Sequence, residues 1–246
     1  GTVSQIEFAL FLESAVRLGI PLALAAMGET ITERSGVINI GLEGSIIAGA
    51  LGGALGAIAL EGAGLGLAFG ALAGLLVALV FAVFAIGLGA DQIITGTAVT
   101  IGGLGMTGAV YQVLFGANGM ELSVPTLAPV TIPWLSEIPV VGSALFAQAP
   151  TAYFAYVMAP ISWYVLFKTA WGLELRATGE APVAAEAAGV RVRVVRFSAT
   201  LFGGAMAGIA GAHLALAHAG TFAENMSAGK GFIAIAVVAL GRWNPI

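Results

Sequence analysis

The chain of 246 residues contains no cysteine and few charged residues. The lack of cysteine excludes disulfide bonds, thiolate zinc sites and a cysteine nucleophile. Charged residues make up only 9% of the sequence, whereas an ordinary soluble domain contains about 25%. Because so few charges cannot cover a water-facing surface of this size, the composition excludes a soluble enzyme, a nucleic-acid-binding protein and a disordered chain.

Apolar residues and glycine are abundant instead, with 59% hydrophobic residues and 36 glycines. A transmembrane helix needs about 20 mostly apolar residues. Runs such as 65–88 are apolar on every face, which favours helices over the alternating strands of a β-barrel. The predicted fold class is therefore all-α, a polytopic transmembrane helical bundle within one membrane domain, 1–246. Its predicted spans are 8–28, 37–60, 64–88, 92–115, 149–167, 196–218 and 230–246.

Small residues recur at intervals of four along several predicted helices. Examples are Gly49 and Gly53 on one helix and Gly66, Gly70 and Gly74 on the next. Small residues let helix backbones approach closely, either within one chain or between two copies. A polytopic chain has many internal helix contacts to make, so we expect these residues to pack within the chain rather than to form a dimerisation motif.

The placement of basic residues predicts the topology, because cytoplasmic loops are enriched in lysine and arginine. Neither residue occurs in 35–167, and five of the nine fall within 168–196. We therefore place the loop 168–195 in the cytoplasm. The segment 116–148 has four prolines and no basic residue, and we expect it to form an irregular extracytoplasmic cap.

The cytoplasmic loop is predicted to contain a short helix. Pro182 suits the first helical turn, and Gly189 suits the left-handed residue after a helix end. A helix of about seven residues is not stable alone in water. It therefore either rests on the membrane face of its own protein or fits a groove on a cytoplasmic partner, and the sequence leaves both readings open.

Three polar clusters, 33–44, 91–97 and 221–232, interrupt the apolar pattern at membrane depth. Polar groups at this depth usually face a cavity or each other, and irregular backbone is tolerated only where protein or water covers it. The clusters predict broken or re-entrant helices. They serve either helix capping and hydrogen bonding between helices or a polar pathway, and their amides and hydroxyls suit a neutral solute better than an ion.

Enzyme signatures are absent from the sequence. It has no phosphate-binding loop, since Gly229-Lys230-Gly231 lacks the spacing and the hydroxyl, and it has no His-Glu-x-x-His motif. The five-residue spacing of His213 and His218 does not place both on one helix face. We therefore expect hydrogen bonding between helices rather than a metal site, and no ATPase activity.

The polar clusters also resemble a known family. The run 33–44 reads Glu-Arg-Ser-Gly-Val-Ile-Asn-Ile-Gly-Leu-Glu-Gly, which closely resembles the signature of bacterial ATP-binding cassette (ABC) transporter permeases for nucleosides and simple sugars. This group belongs to a superfamily that includes branched-chain amino acid permeases. The stretches 91–98, 172–190 and 229–245 agree with further family motifs in the same order.

The resemblance implies a permease subunit in the bacterial inner membrane that itself holds no cofactor. Its implied partners are a second permease subunit, an ATP-binding cassette subunit that uses the ATP, and an extracytoplasmic solute-binding protein. Closure of the cassettes would move a helix at 177–189. Residues that would contact the ATPase are Arg176, Glu180, Glu186 and Gly189, and residues near the translocation path would be Asn39, Glu43, Gln92, Thr95 and Asn225.

The chain departs from the family pattern at two places. Asp91 stands where the family usually has asparagine, so it either changes the charge of the pathway or caps a helix. The chain ends at Ile246, where relatives continue, and we expect it to be C-terminally truncated. A permease for branched-chain amino acids and a passive solute channel remain alternatives, and a membrane-embedded enzyme is a weaker one.

Overall fold

The computed structural model describes residues 2–116, 124–139 and 141–245, with side chains from residue 7 onward. Helices dominate this part of the chain, and β1 pairs with β2 in an antiparallel ladder. The elements are α1 (Thr2–Arg34), α2 (Leu42–Ala59), α3 (Ala63–Ala82), α4 (Gln92–Phe115), β1 (Val130–Thr131), α5 (Val141–Phe146), β2 (Ala147–Gln148), α6 (Pro150–Lys168), α7 (Ala170–Glu180), α8 (Pro182–Ala187), α9 (Val192–His213) and α10 (Lys230–Leu240). Short π-helical segments, Val83–Gly87 and Leu214–Ala219, extend α3 and α9.

Five helices among the described residues are long and apolar enough to cross a membrane. Four of them confirm predicted spans closely in position, and the fifth, α2, begins at Leu42 because 35–41 forms the predicted break. The predicted span 149–167 forms the 19-residue helix α6, which lies outside this group of five. The five are Glu7–Arg34, Leu42–Ala59, Ala63–Gly87, Gln92–Phe115 and Val192–Ala219.

The prediction of a full span at 230–246 is wrong. Helix α10 has 11 residues, which is about 16 Å at 1.5 Å per residue and about half the thickness of the hydrocarbon core. It ends because Arg242 and Trp243 take left-handed backbone conformations, with φ of 54° and 56°. The apolar run thus forms a half-helix that follows an irregular segment, 220–229.

Helices α2, α3 and α9 touch backbone to backbone, and most of α2 and α9 is buried. A Cβ added at Gly66 would lie 2.7 Å from the carbonyl oxygen of Gly53, and one at Gly70 would lie 2.9 Å from that of Gly49. A Cβ at Gly211 would overlap the carbonyl oxygen of Ile46. The prediction that the small residues pack within the chain is therefore confirmed.

The segment 116–148 is irregular where it is described, and 117–123 and residue 140 lie outside the described residues. The backbone N–H of Leu127 donates to the carbonyl of Leu216 over 2.9 Å. The hydroxyl of Tyr153 donates to the carbonyl of Val130 over 2.6 Å. These bonds fix the segment against the end of α9 and the start of α6, and its extracytoplasmic position stays a prediction.

Candidate functional site

The break between α1 and α2 is lined by buried polar groups. Gly36 takes a left-handed conformation, with φ of 82°, which turns the chain after α1. Asn39 is fully buried, and its backbone N–H donates to Glu29 Oε1 over 2.8 Å. The second carboxylate oxygen of Glu29 and both side-chain polar atoms of Asn39 have no hydrogen-bond partner among the described residues. The break is therefore supported by a carboxyl group that sequence reasoning missed, although Glu29 lies in a polar stretch directly after the first predicted span.

Helix α4 closes over this break. Gln92 Oε1 accepts the backbone N–H of Ile38 over 3.0 Å, and the hydroxyl of Thr100 donates to the carbonyl of Ile40 over 3.0 Å. Gly96 permits this approach, because an added Cβ there would lie 2.7 Å from the Cβ of Ile40. The first two polar clusters therefore meet, and Gln92 replaces a hydrogen bond that the break in the helix leaves open.

Asp91 caps the beginning of α4. Its Oδ1 atom accepts the backbone N–H groups of Ile93 and Ile94, both over 2.9 Å. These two donors have no partner within the helix itself. Of the two readings of Asp91, helix capping is the one that these contacts support.

The third cluster joins the first through Glu43. This buried carboxylate accepts the N–H of Gly229 over 2.8 Å and that of Gly231 over 2.5 Å. Both donors lie at the beginning of α10. All three polar clusters therefore meet at the break between α1 and α2 and the first turn of α2.

The other two predicted pathway residues lie on different elements, Thr95 near the start of α4 and Asn225 in the irregular segment before α10. Thr95 lines an apolar groove of about 520 Å³ between α3 and α4, together with Val80, Phe84 and Met106. Asn225 is exposed and has a left-handed φ of 58°. Its neighbour Glu224 accepts a hydrogen bond from Gln112, near the other end of α4, over 3.0 Å. Asn39, Glu43 and Gln92 thus lie at the break, whereas Thr95 is a largely buried residue at the edge of an apolar groove and Asn225 lies on an exposed surface.

The predicted cytoplasmic loop forms two helices where one was expected at 177–189. Helix α7 ends at Glu180, because Ala181 leaves the helical conformation with φ of −147° and Pro182 then begins α8. Gly189 has φ of 91°. The prediction of a short helix that begins at Pro182 and ends before Gly189 is confirmed by α8. The longer bounds 177–189 are wrong, because 177–180 belongs to α7.

The four predicted ATPase-contact residues divide into one that packs inward and three that face outward. The guanidinium of Arg176 lies 5.3 Å from the ring centroid of Phe167, and that of Arg34 lies 5.6 Å from the same ring. Glu180, Glu186 and Gly189 are exposed. Arg176 therefore holds α7 against the membrane helices, and the other three residues are accessible to a partner.

Helix α7 contacts the turn that leads into the break. A Cβ at Gly179 would overlap the carbonyl oxygen of Arg34 and lie 3.1 Å from the backbone nitrogen of Gly36. On the other side, Arg196 Nε donates to the carbonyl of Ser35 over 3.1 Å. The sequence gives no signal for these two contacts, because the partners are more than 140 residues apart.

His213 forms the bond between helices that the sequence predicts. Its Nδ1 lies 2.5 Å from the hydroxyl oxygen of Thr151, which joins the end of α9 to the start of α6. His218, five residues further along the chain, is exposed.

A family model described as "Branched-chain amino acid transport system / permease component" matches residues 11–246. The nucleoside ABC transporter permease protein NupC of Lactococcus lactis subsp. cremoris is 35% identical over 233 residues, 92% of this chain and 73% of NupC. The guanosine ABC transporter permease protein NupQ of Bacillus subtilis is 37% identical over 236 residues, 92% of this chain and 73% of NupQ.

A third relative is TsgC13 of Haloferax volcanii, provisionally named as a glucose ABC transporter permease protein. It is 37% identical over 238 residues, 95% of this chain and 71% of TsgC13. No solved structure matches the chain. With five apolar helices and a family match over nearly its whole length, the chain is a multi-pass membrane protein that belongs to the family of branched-chain amino acid transport system permease components.

Proposed function

We propose that this protein is the membrane-spanning permease subunit of an ABC importer for nucleosides or simple sugars, located in the bacterial inner membrane. Support for the substrate class comes from the relatives, which are named for nucleosides, guanosine and glucose. The family description names branched-chain amino acids, and these form the alternative substrate class.

The contact between the α7–α8 pair and the turn at 34–36 is the main structural support for this proposal. Helix α8 presents Val183, which is 80% exposed, beside the exposed carboxylate of Glu186. An exposed apolar side chain on a short helix suits docking into a groove on a partner. An ATP-binding cassette subunit bound there would displace α8 and α7, and Gly179 would pass the displacement to Arg34 and Gly36.

In this mechanism ATP binds to the partner subunit and the permease changes shape. A nucleotide can shift the permease between two states only if the partner binds those states with different affinity. Glu180, Glu186 and Gly189 form the contact with the partner, and Arg176 keeps α7 fixed to the membrane helices. A second permease subunit and an extracytoplasmic solute-binding protein complete the importer.

The solute path is proposed to run past Asn225 and Thr95. Asn225 lies on an exposed surface, and Thr95 lies in the groove along α4. Amide and hydroxyl groups of this kind can hydrogen-bond the hydroxyls of a sugar or the base of a nucleoside. Asn39, Glu43 and Gln92 lie at the break between α1 and α2, where Glu43 and Gln92 accept hydrogen bonds from backbone N–H groups.

Competition during uptake tests the substrate class. The importer, assembled with its ATPase and binding protein in proteoliposomes, is expected to take up labelled guanosine or labelled glucose when ATP is supplied. We expect unlabelled nucleosides or sugars to compete and leucine to have no effect. Uptake of labelled leucine with no competition from the other two would establish the amino acid alternative.

A further inference from the structure

The half-helix α10 is held at both ends by one segment, 33–43. At its beginning, the carboxylate of Glu43 accepts the N–H groups of Gly229 and Gly231. After its end, Trp243 Nε1 donates to Glu33 Oε2 over 2.5 Å. The carbonyl of the same tryptophan accepts the Nε of Arg34 over 3.1 Å. The segment therefore brackets α10 across a separation of about 190 to 210 residues in sequence.

The carboxylate of Glu43 accepts hydrogen bonds from backbone N–H groups that have no partner within the half-helix. The first N–H groups of a helix have no partner within it, and the helix dipole places positive charge there. Glu43 is only 2% exposed, and hydrogen bonds to a carboxylate in such surroundings are stronger than bonds between neutral groups. Glu43 thus satisfies two backbone donors at the beginning of α10.

The backbone at Gly231 lies so close to Glu43 that only glycine fits there. A Cβ at Gly231 would lie 2.6 Å from the Glu43 backbone nitrogen and 2.8 Å from its Oε2. Before α10, Asn225, Ala228 and Gly229 have positive φ values of 58°, 47° and 79°. The approach to α10 thus lacks a continuous helical ladder, and the side chain of Glu43 supplies the connection.

We propose that Glu43 is a positioning residue that joins α10 to the 33–43 segment, so that the two move together and α10 shifts during transport. The proposal rests on the proposed function, because the same segment contacts α7 at Gly179 and α9 at Arg196. Displacement of the cytoplasmic helices would therefore reach α10 in the membrane. Glu43 acts in this way through α10 and does not bind the solute.

Thiol labelling tests the connection without any transport, because the chain has no native cysteine. Ser227 is fully buried beside the Glu43 contact, so Ser227→Cys is a reporter for release of α10. Ser162→Cys in α6, which is 2% exposed, is the matched control. Glu43→Gln keeps the shape but presents an amide NH₂ to one of the two N–H donors.

We expect Glu43→Gln to raise the maleimide labelling rate at position 227 at least about tenfold, with no change at position 162, because a buried donor loses its partner and the local structure opens more often. An unchanged rate at position 227 overturns the proposal. If Glu43→Gln raises the labelling rate at both positions, the Gly231→Ala variant is the deciding test. Its added Cβ displaces α10 while the carboxylate of Glu43 remains in place. Selective acceleration at position 227 in Gly231→Ala supports the proposal, and any other result overturns it.

Uptake by the assembled importer separates positioning from solute binding. We expect Glu43→Gln to lower the maximal uptake rate at least about tenfold while the half-saturating solute concentration stays unchanged. A raised half-saturating concentration with an unchanged maximal rate would place Glu43 in the solute path and overturn the positioning role. The labelling result does not depend on which solute the protein carries, so failure of this proposal and failure of the proposed function are distinguishable.

Discussion

At the scale of single residues, polar side chains within the apolar bundle bond to backbone groups that broken helices leave open. Gln92 accepts from Ile38 and Glu43 accepts from the first turn of α10, while the exposed Asp91 caps the first turn of α4 between two spans. An unsatisfied backbone N–H in a lipid environment costs several kcal/mol. The polar residues therefore make it possible for this chain to interrupt its helices inside the membrane.

We predict that Asp91→Ala destabilises the protein, because α4 loses the acceptor for the N–H groups of Ile93 and Ile94. Loss of such a cap costs about 0.5–2 kcal/mol. Asp91→Asn is the matched control, since asparagine caps helices equally well and removes only the charge. Melting temperatures of the detergent-solubilised variants measure the effect. A melting temperature for Asp91→Ala equal to that of Asp91→Asn would contradict the capping role.

The sequence predicts those residue roles that depend on near neighbours. Asp91 bonds two and three residues ahead, and Gly189 follows its own helix, so both are visible in the local pattern. Glu43 and Arg196 stand out in the sequence as charged residues, but their hydrogen-bond partners lie 161 to 188 residues away. Such pairings depend on how the helices are arranged, which one sequence does not specify.

At the scale of helices, close backbone contact holds α2, α3 and α9 together. Gly49, Gly70 and Gly208 meet where a side chain on any of them would meet another backbone. Association of helices in a membrane depends on van der Waals packing and hydrogen bonds, because lipid is as apolar as the side chains it replaces. The tolerance of each glycine to substitution should therefore follow its local space.

We predict that Gly211→Ala greatly reduces the yield of folded protein, because its Cβ would overlap the carbonyl oxygen of Ile46. Overpacking of a core costs about 1–3 kcal/mol, and an overlap with backbone falls at the upper end. Gly102→Ala in α4 is the control, since no atom lies within 4 Å of the added Cβ. Size-exclusion profiles of the purified variants report the outcome. Equal monodisperse yield of the two variants would show that the packing of α9 against α2 is wrong.

We predict that the double variant Glu186→Gln, Gly189→Ala loses coupling to ATP and still inserts into the membrane. Glu186 is exposed, and Gly189 has the left-handed φ that alanine adopts only with strain of about 1 kcal/mol. The measurement is ATP-dependent uptake together with the amount of protein in the membrane. Glu61→Gln, in the turn between α2 and α3, is the control. Normal uptake by the double variant would refute the role of α8 as the partner contact.

The sequence predicts the bounds of a helix best where residues at its own ends mark them. The prediction 92–115 matches α4, because Asp91 marks its beginning. The sequence predicts too long a helix at 230–246, because the apolar composition gives no sign of how short α10 is. The residues that bind its two ends, Glu43 and Glu33, lie in a distant part of the chain. Hydropathy thus locates apolar helices but does not distinguish a half-helix from a full span.

At the scale of the whole molecule, the segment 33–43 connects the parts that a transporter must coordinate. It contacts α7 and α9 at one end, α4 along its length and α10 at both ends of that half-helix. Because packed helices shift between discrete arrangements rather than bending continuously, a displacement of α7 by a cytoplasmic partner is expected to move this segment and α10 together.

The most direct test of this account is the ATP dependence of uptake. The permease is reconstituted in proteoliposomes with its ATP-binding cassette subunit and its solute-binding protein, and entry of labelled guanosine or glucose is followed with ATP and with a non-hydrolysable analogue. We predict accumulation above the external concentration with ATP and none with the analogue. Equal entry under both conditions, stopping at the external concentration, would contradict the account and show a passive channel.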